Sequence, residues 1–379
     1  MQTGRHYPGG KHNNHKYAFM IPLLIAKNKF SKERLSLGLD IGTQAVKFVK
    51  LKFFKEGVEL CGFALEPAPA NSKPDINRML QSQNIKGVNI SVSGPAAIIR
   101  YVNFPKMNND ELKQALRFEA QKHIPFSMDE VNLDSYILKE DLPDNKMFVL
   151  LAAAKKESIN QRMKIIQEAG LKVNVIDVDS VALINAFNFN YPQDNLTERK
   201  AVALLNIGAL MSNLNILENN IPRLSRDIHI AGNSFTQKLM DIFAMDFKSA
   251  EELKLNPVRN TKDIEVQNKI SNGVNPDKEK AEKITAAIDA VLANLANEIR
   301  ISFDYYESQS SSSVTKIYLS GGGSEFFGLK DMLANLLGIE VEYWDPFRRV
   351  NIPDGLKPEA ETIKALSGRL AVALGLALR

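Results

Sequence analysis

Along residues 35–42 apolar and polar positions alternate, Leu35, Leu37, Leu39 and Ile41 against Ser36, Gly38, Asp40 and Gly42. This period of two defines a strand with Asp40 and Gly42 on one face. Beyond Thr43 and Gln44 the alternation resumes, with Val49, Leu51 and Phe53 set against Lys50 and Lys52. The stretch "LGLDIGTQAVK" therefore predicts a hairpin, not a strand that runs into a helix. The same plan recurs at "ALLNIGALMSNLNIL", where an apolar strand meets Asn206, Ile207 and Gly208, turns, and continues as a second apolar strand. Two such hairpins predict a duplicated domain.

Between them the pattern changes. Residues 98–104 read as a strand, 109–123 as a helix with Asn108 or Asn109 as its cap, and 131–138 and 147–154 as two strands; 157–169 is a helix closed by Gly170. Leu112, Ala115, Leu116 and Ala120 share one side of the first helix, while Lys113, Arg117 and Gln121 face elsewhere. This β-α-β-β-α series predicts a compact inserted module, after which 171–176 returns as a strand. Further on, Ile284, Ile288, Val291, Leu295, Ile299, Phe303 and Tyr306 recur every three or four positions and predict a long amphipathic helix. A strand from Val314 then meets Gly321, Gly322, Gly323 and Ser324, with a helix expected near Glu325. The polar tract 256–280 is expected to be a loop.

Composition narrows the classes. A chain of 379 residues with 44% hydrophobic and 24% charged residues has material for two domains. Its net charge of +4 and the lack of an arginine-rich or basic-aromatic tract beyond residue 35 argue against nucleic acid as a ligand. The single cysteine, Cys61, excludes an intramolecular disulfide and a multi-thiolate metal site, which suits a reducing compartment, the cytoplasm by default. Residues 1–34 are basic around an apolar run at 18–26 that Pro22 interrupts. A run so short does not span a bilayer, which needs about 20 residues. A disordered tail with weak attraction to anionic lipid is expected, and Met20 is a second candidate start.

The chemistry of the first turn has two readings. P-loops and dinucleotide fingerprints lead from strand through glycine loop into a helix, so neither is present. A hairpin tip with Gly42, Thr43 and Gln44 offers backbone N–H groups and a hydroxyl to an anion, with Asp40 beside it to hold the water shell of a metal ion. The other reading is a turn capped by Asp40. Three consecutive glycines likewise suit a flat ligand or a tight strand-to-helix connection.

Two Asp/Asn-x-Gly hairpins and a glycine-rich turn after a long helix resemble the actin, sugar-kinase and heat-shock-chaperone ATPase superfamily. Within it, "GLDIGTQAVKFVKL", "RYVNFPKMNNDELKQALRFEAQKHIPFSMDEV", "YLSGGGSEFFGL" and "AVALGLALR" are similar to the type IV pilus assembly protein PilM family, from about Leu35 to Arg379. The resemblance implies an α/β actin-like fold of two lobes, duplicated ribonuclease-H-like domains. Residues 35–94, 170–195 and 356–379 would form the first lobe, 95–169 the inserted module and 196–355 the second lobe, after the tail 1–34.

It also implies ATP with Mg²⁺. Asp40, Gly42, Thr43, Gln44 and Lys47 would hold phosphates and, through water from Asp40, the metal; Asn206, Gly208, Ala209 and Ser212 face them from the second hairpin. Glu251 and Lys254 would reach the ribose, and Gly321, Gly322, Gly323 and Ser324 the adenosine. Asp179 stands where the superfamily orients an attacking water, or serves only as a helix cap. Asn206 replaces the second aspartate and Ala209 to Met211 replace hydroxyl residues, so weak or no hydrolysis is expected. The implied partner is the N-terminal cytoplasmic peptide of a PilN-type inner-membrane protein, received between the module and the first domain near Phe104 and Phe126. A pilus motor ATPase and platform protein would be further partners, and membrane association would come through the PilN-type partner. A small-molecule kinase and an FtsA-like division protein are the competing readings.

Overall fold

The computed structural model describes residues 18–19, 33–68, 75–192, 201–255, 276–326 and 328–379. A first sheet holds six strands. After β1 (Ala18–Phe19), β2 (Arg34–Ile41), β3 (Ala45–Phe54) and β4 (Gly57–Pro67) form an antiparallel meander. Past the short α1 (Ile76–Leu80), β5 (Gly87–Val92) lies parallel to β2. The predicted hairpin is present, with Asp40 opposite Lys47 across the β2–β3 ladder.

The chain then leaves this sheet. Strand β6 (Ala97–Pro105), helix α2 (Asn109–His123), strands β7 (Val131–Leu142) and β8 (Lys146–Lys155) and helix α3 (Lys156–Glu168) follow the expected β-α-β-β-α series. The strands form a separate antiparallel sheet in the order β6-β8-β7. Asn108 supplies the cap of α2: its side chain accepts from the N–H groups of Asp110 and Glu111 while the Glu111 carboxylate receives the Asn108 N–H. Leu112, Leu116 and Ala120 are buried, as the helical spacing requires.

Strand β9 (Lys172–Val178) rejoins the first sheet parallel to β5, giving the order β1-β9-β5-β2-β3-β4. Strand β1 departs from the expected disordered tail, since Ala18 and Phe19 pair in parallel with Val175 and Ile176; residues 1–17 and 20–32 of that tail lie outside the described residues. Helix α4 (Asp179–Asn190) crosses to the second half, where β10 (Ala201–Ile207), β11 (Ser212–Glu218) and β12 (Ile221–Ile228) repeat the antiparallel meander. Helices α5 (Gly232–Phe243), α6 (Phe247–Leu255) and α7 (Pro276–Gln309) follow. Strand β13 (Val314–Ser320), helix α8 (Leu329–Leu337) and strand β14 (Glu340–Tyr343) complete the sheet β12-β11-β10-β13-β14. Each large sheet thus sets a three-strand meander beside parallel strands in the same order.

Two boundaries differ from the sequence pattern. Helix α7 begins at Pro276, so 276–280 of the expected loop are helical, and 256–275 lie outside the described residues. No helix starts at Glu325; Gly322–Ser324 form a single 3₁₀ turn, and Gly328, left-handed at φ 80°, precedes α8.

The final helix, α9 (Ala360–Ala377), explains the terminal "AVALGLALR". It packs where no side chain fits: a Cβ on Gly38 would lie 2.1 Å from the Ala373 carbonyl oxygen, and one on Gly375 1.8 Å from that of Ala182. Backbone of α9 therefore touches β2 on one side and α4 on the other. Beyond it, the Arg379 guanidinium forms an ion pair with Asp177, both side chains almost wholly buried. Gly375→Ala forces α9 from α4 and is expected to cost about 3 kcal/mol, read as a lower urea midpoint with unchanged slope; an unaltered midpoint would show that the helices are not in backbone contact.

Candidate functional site

The end of β2 and the start of α4 bring two carboxylates together. Asp40 is nearly buried and its Oδ2 lies 2.8 Å from Lys47 Nζ. The Gly42 N–H donates to Ala45 O at 3.1 Å and closes the turn, leaving Thr43 and Gln44 exposed at the tip. Asp179 is the first residue of α4, with Val178 in the cap position. Burial first, and then the charge of Asp40, push the Asp179 carboxyl from 3.8 up to about 6, while hydrogen bonds from Ser91 and Ser93 act in the opposite sense. Those serines were missed in the sequence, although two serines alternating at the end of an apolar strand, before Gly94, mark one polar face.

The second hairpin is arranged differently. The Asn206 amide oxygen accepts from Ser320 Oγ at 3.2 Å, and buried Ser212 donates to Ile230 O at 2.6 Å. The Gly208 N–H donates to Met211 O at 3.0 Å. The carbonyls of Gly208 and Ala209 accept from Gly232 and Asn233, at 3.0 and 2.8 Å, and so seat the turn on the start of α5. From the first hairpin, Gln44 Nε2 donates to Asn233 Oδ1 at 2.7 Å, a bridge between the two halves.

A third group surrounds the glycines. Gly321 has φ 87°, and its missing Cβ would lie 2.3 Å from Ile207 O; that of Gly323 would lie 2.5 Å from Gly208 O. Both are needed for backbone packing against the second hairpin. Ser324 is buried and donates to Gly321 O at 2.7 Å. On α6, buried Lys254 donates to Glu251 Oε2 at 2.7 Å, Thr236 Oγ1 at 3.0 Å and Gly232 O at 3.3 Å. Burial lowers the Lys254 pKa, against the pull of Glu251. The structure thus sets one group around Asp40, Lys47 and Asp179 and another around Glu251 and Lys254; Lys254 is tied to the second hairpin through Gly232 and Gly208, and the Gln44–Asn233 bond links that hairpin region to the first half.

The module borders a separate cavity of about 300 Å³ lined by Pro95, Ile98, Arg100, Phe126, Met211 and His229 among others. Its walls are the module and strand β12, with Val178 and Ser180 contributed by the first half. The Tyr101 hydroxyl meets Ser225 Oγ at 2.8 Å, and the Arg223 guanidinium lies 4.7 Å from the Phe148 ring centre, which fasten module to second half. Phe126 lines this cavity, whereas Phe104 is buried within the module beside Leu112, Met147 and Val149.

A family model described as type IV pilus assembly protein PilM matches residues 38–264 and 279–379. The chain belongs to the PilM family. A chain of a PilM–PilN type IV pilus biogenesis complex is 29% identical to this family member, with a TM-score of 0.76 over 91% of this chain and 98% of that one. Ethanolamine utilization protein EutJ from Carboxydothermus hydrogenoformans matches with a TM-score of 0.48 at 14% identity, over 93% and 91% of the two chains. MreB5 of Spiroplasma citri bound to AMPPNP matches with 0.42 at 13%, over 90% and 94%. The PilM family member has the expected α/β architecture, with two like-ordered sheets and a three-stranded module. Among its described residues, no helix is long and apolar enough to cross a membrane.

The raised carboxyl of Asp179 in this PilM family member carries a sign. Because the folded state holds this proton more tightly than the unfolded chain, stability falls as pH rises from about 4 to about 6. Asp179→Asn removes the penalty, so in nucleotide-free, metal-free buffer the variant should exceed wild type by on the order of 2 kcal/mol above pH 6 and match it below pH 4. Urea melts from about pH 3.5 to about pH 7.5 check this; a pH-independent difference would show that the fold does not raise the Asp179 carboxyl.

Proposed function

We propose that this chain is a cytoplasmic scaffold of type IV pilus assembly that holds Mg-ATP in the cleft between its halves and binds the N-terminal cytoplasmic peptide of a PilN-type inner-membrane protein. The observation that carries this reading is the match of 91% of the chain, module included, to a chain of a PilM–PilN complex. A pilus motor ATPase and platform protein are further partners in this reading, which keeps the chain at the membrane through its partners.

The cleft suits the nucleotide chemically. Two neighbouring carboxylates, one of them held above its ordinary pKa by burial and then by the charge of the other, are the arrangement that a hydrated divalent cation relieves. Asp40 and Asp179 would take the waters of Mg²⁺, and the ion, when bound, would offset phosphate charge. Lys47 keeps Asp40 oriented by their 2.8 Å ion pair, and Gly42, Thr43 and Gln44 present the turn to the phosphates. Glu251 and Lys254 would accept and donate to the ribose hydroxyls. Hydrolysis is slow in this reading, because Asn206 contributes an amide already engaged by Ser320 where a second carboxylate would help neutralise the transferring group. The peptide would enter the cavity between module and β12, where Ile98, Phe126 and Met211 offer apolar contacts and Arg100 a charge.

Two measurements test these parts separately. Saturating Mg-ATP should raise the melting temperature of wild type, since a ligand at 100 times its Kd adds about 2.7 kcal/mol, and Asp40→Ala should lose most of that shift; an unshifted wild type ends the nucleotide reading. Phe126→Asp should weaken calorimetric binding of a synthetic N-terminal peptide from the cognate PilN-type protein by about tenfold or more, with the Mg-ATP shift retained. Undiminished peptide affinity would place the peptide elsewhere.

A further inference from the structure

The last helix reaches into the cleft through a residue outside every motif in the sequence. Arg369 lies on α9, which packs on the first sheet, yet its Nε donates to both carboxylate oxygens of Glu325, at 2.8 and 2.7 Å, and its Nη2 donates to Oε2. One residue earlier, Gly368 O accepts the Gly321 N–H at 2.9 Å. A Cβ on Gly322 would lie 3.6–3.7 Å from the Arg369 Cγ, Cδ and Nε, so the arginine stem covers that glycine. On the other side of the turn the Tyr343 hydroxyl donates to Ser324 O at 2.5 Å. The turn Gly321–Ser324 is therefore gripped at one end by its own half and at the other by α9.

The charges around it give this grip a purpose. Glu325 and Glu251 both act on the Arg369 guanidinium, whose pKa is raised chiefly by the hydrogen bonds to Glu325. Without the guanidinium, Glu325 would stand as an uncompensated carboxylate beside a turn that has to accept a polyanionic ligand. A planar, two-donor group suits the task, because it neutralises the carboxylate and fixes its direction together.

We propose that Arg369 is a positioning residue for the nucleoside: by holding Glu325 and lying along Gly322, it sets the turn Gly321–Ser324 against the first half and ties nucleoside affinity to the approach of the two halves. The proposal rests on the nucleotide reading given above. Arg369 acts on the nucleoside end alone, which separates it from Asp40 and Lys47 at the phosphate end.

The test is calorimetric titration of the full chain with Mg-ATP and, separately, with Mg-tripolyphosphate, which has no nucleoside. Arg369→Met keeps the stem and removes the guanidinium; it should weaken Mg-ATP about tenfold, through lost preorganisation, and leave Mg-tripolyphosphate unchanged. Arg369→Lys, a single point charge, should recover only part of the loss, and the exchange Arg369→Glu with Glu325→Arg should recover more than either single change. Mg-ATP affinity unchanged in Arg369→Met overturns the proposal. Equal weakening of both ligands also overturns it, as that is the mark of general destabilisation, which a urea melt without ligand would register. If wild type binds neither ligand, the nucleotide reading itself fails.

Discussion

Burial of helix α4 is the constraint on which the cleft depends. From Ser180 to Asn188 every residue is buried, and Asn190 as well, so the helix has no solvent face and cannot shift without opening packing on all sides. Its first residue, Asp179, meets Asp40, while its last turn is fastened to the second half by side-chain amides. Asn188 donates to Asn220 O at 3.0 Å, Asn190 donates to Pro346 O at 2.5 Å, and the Arg349 N–H donates to Asn190 Oδ1 at 2.9 Å. An amide left unpaired at such depth costs about 1–3 kcal/mol. The ring of Phe187 adds contacts to Tyr191, Tyr318 and Trp344, with centroids 4.9, 4.9 and 5.5 Å away. One rigid element therefore sets both the position of Asp179 beside Asp40 and the relation between halves.

The halves share a plan and differ in chemistry. In the first hairpin a carboxylate is held by a lysine across the ladder and faces a second carboxylate. In the second, the corresponding asparagine is occupied by the serine at the end of β13, and the only nearby side-chain hydroxyl in the turn's second strand is consumed by a backbone carbonyl. The two halves repeat one scaffold, and one hairpin carries a lysine-held carboxylate beside a second carboxylate while the other is satisfied internally. A binding role fits that asymmetry better than turnover.

The three-stranded module is likewise bound on two sides. Its chain ends enter and leave the first sheet, and its strands meet β12 through Tyr101, Ser225, Arg223 and Phe148. An occupant of the cavity there touches Met211, and Met211 belongs to the turn that seats α5. The cavity and the second hairpin thus share a wall.

Much of this was legible in the sequence because it is local. Period-two alternation with a turn at Gly42 or Gly208 specifies a hairpin from a dozen residues; Asn108 followed by Glu111 specifies a helix start; apolar residues every three or four positions specify buried faces in α2 and α7. Asp40 and Lys47 stood out because they flank the turn of such a hairpin, whereas Asp179, Glu251 and Lys254 were singled out by the family resemblance, since their spacing alone fits a helix cap and an ordinary ion pair equally well. The sequence could not foretell the bond from Gln44 to Asn233, the capture of Asn206 by Ser320 or the reach of Arg369 to Glu325. It also did not place the cavity against β12. Each of those joins residues far apart in the chain, and backbone propensity carries no term for such a pairing. Asn206 meets Ser320 because β10 and β13 lie side by side in register, and Arg369 reaches Glu325 from a helix that Gly38 and Gly375 let approach β2 and α4 closely: the chain determined its elements, and the packing of those elements decided which side chains meet.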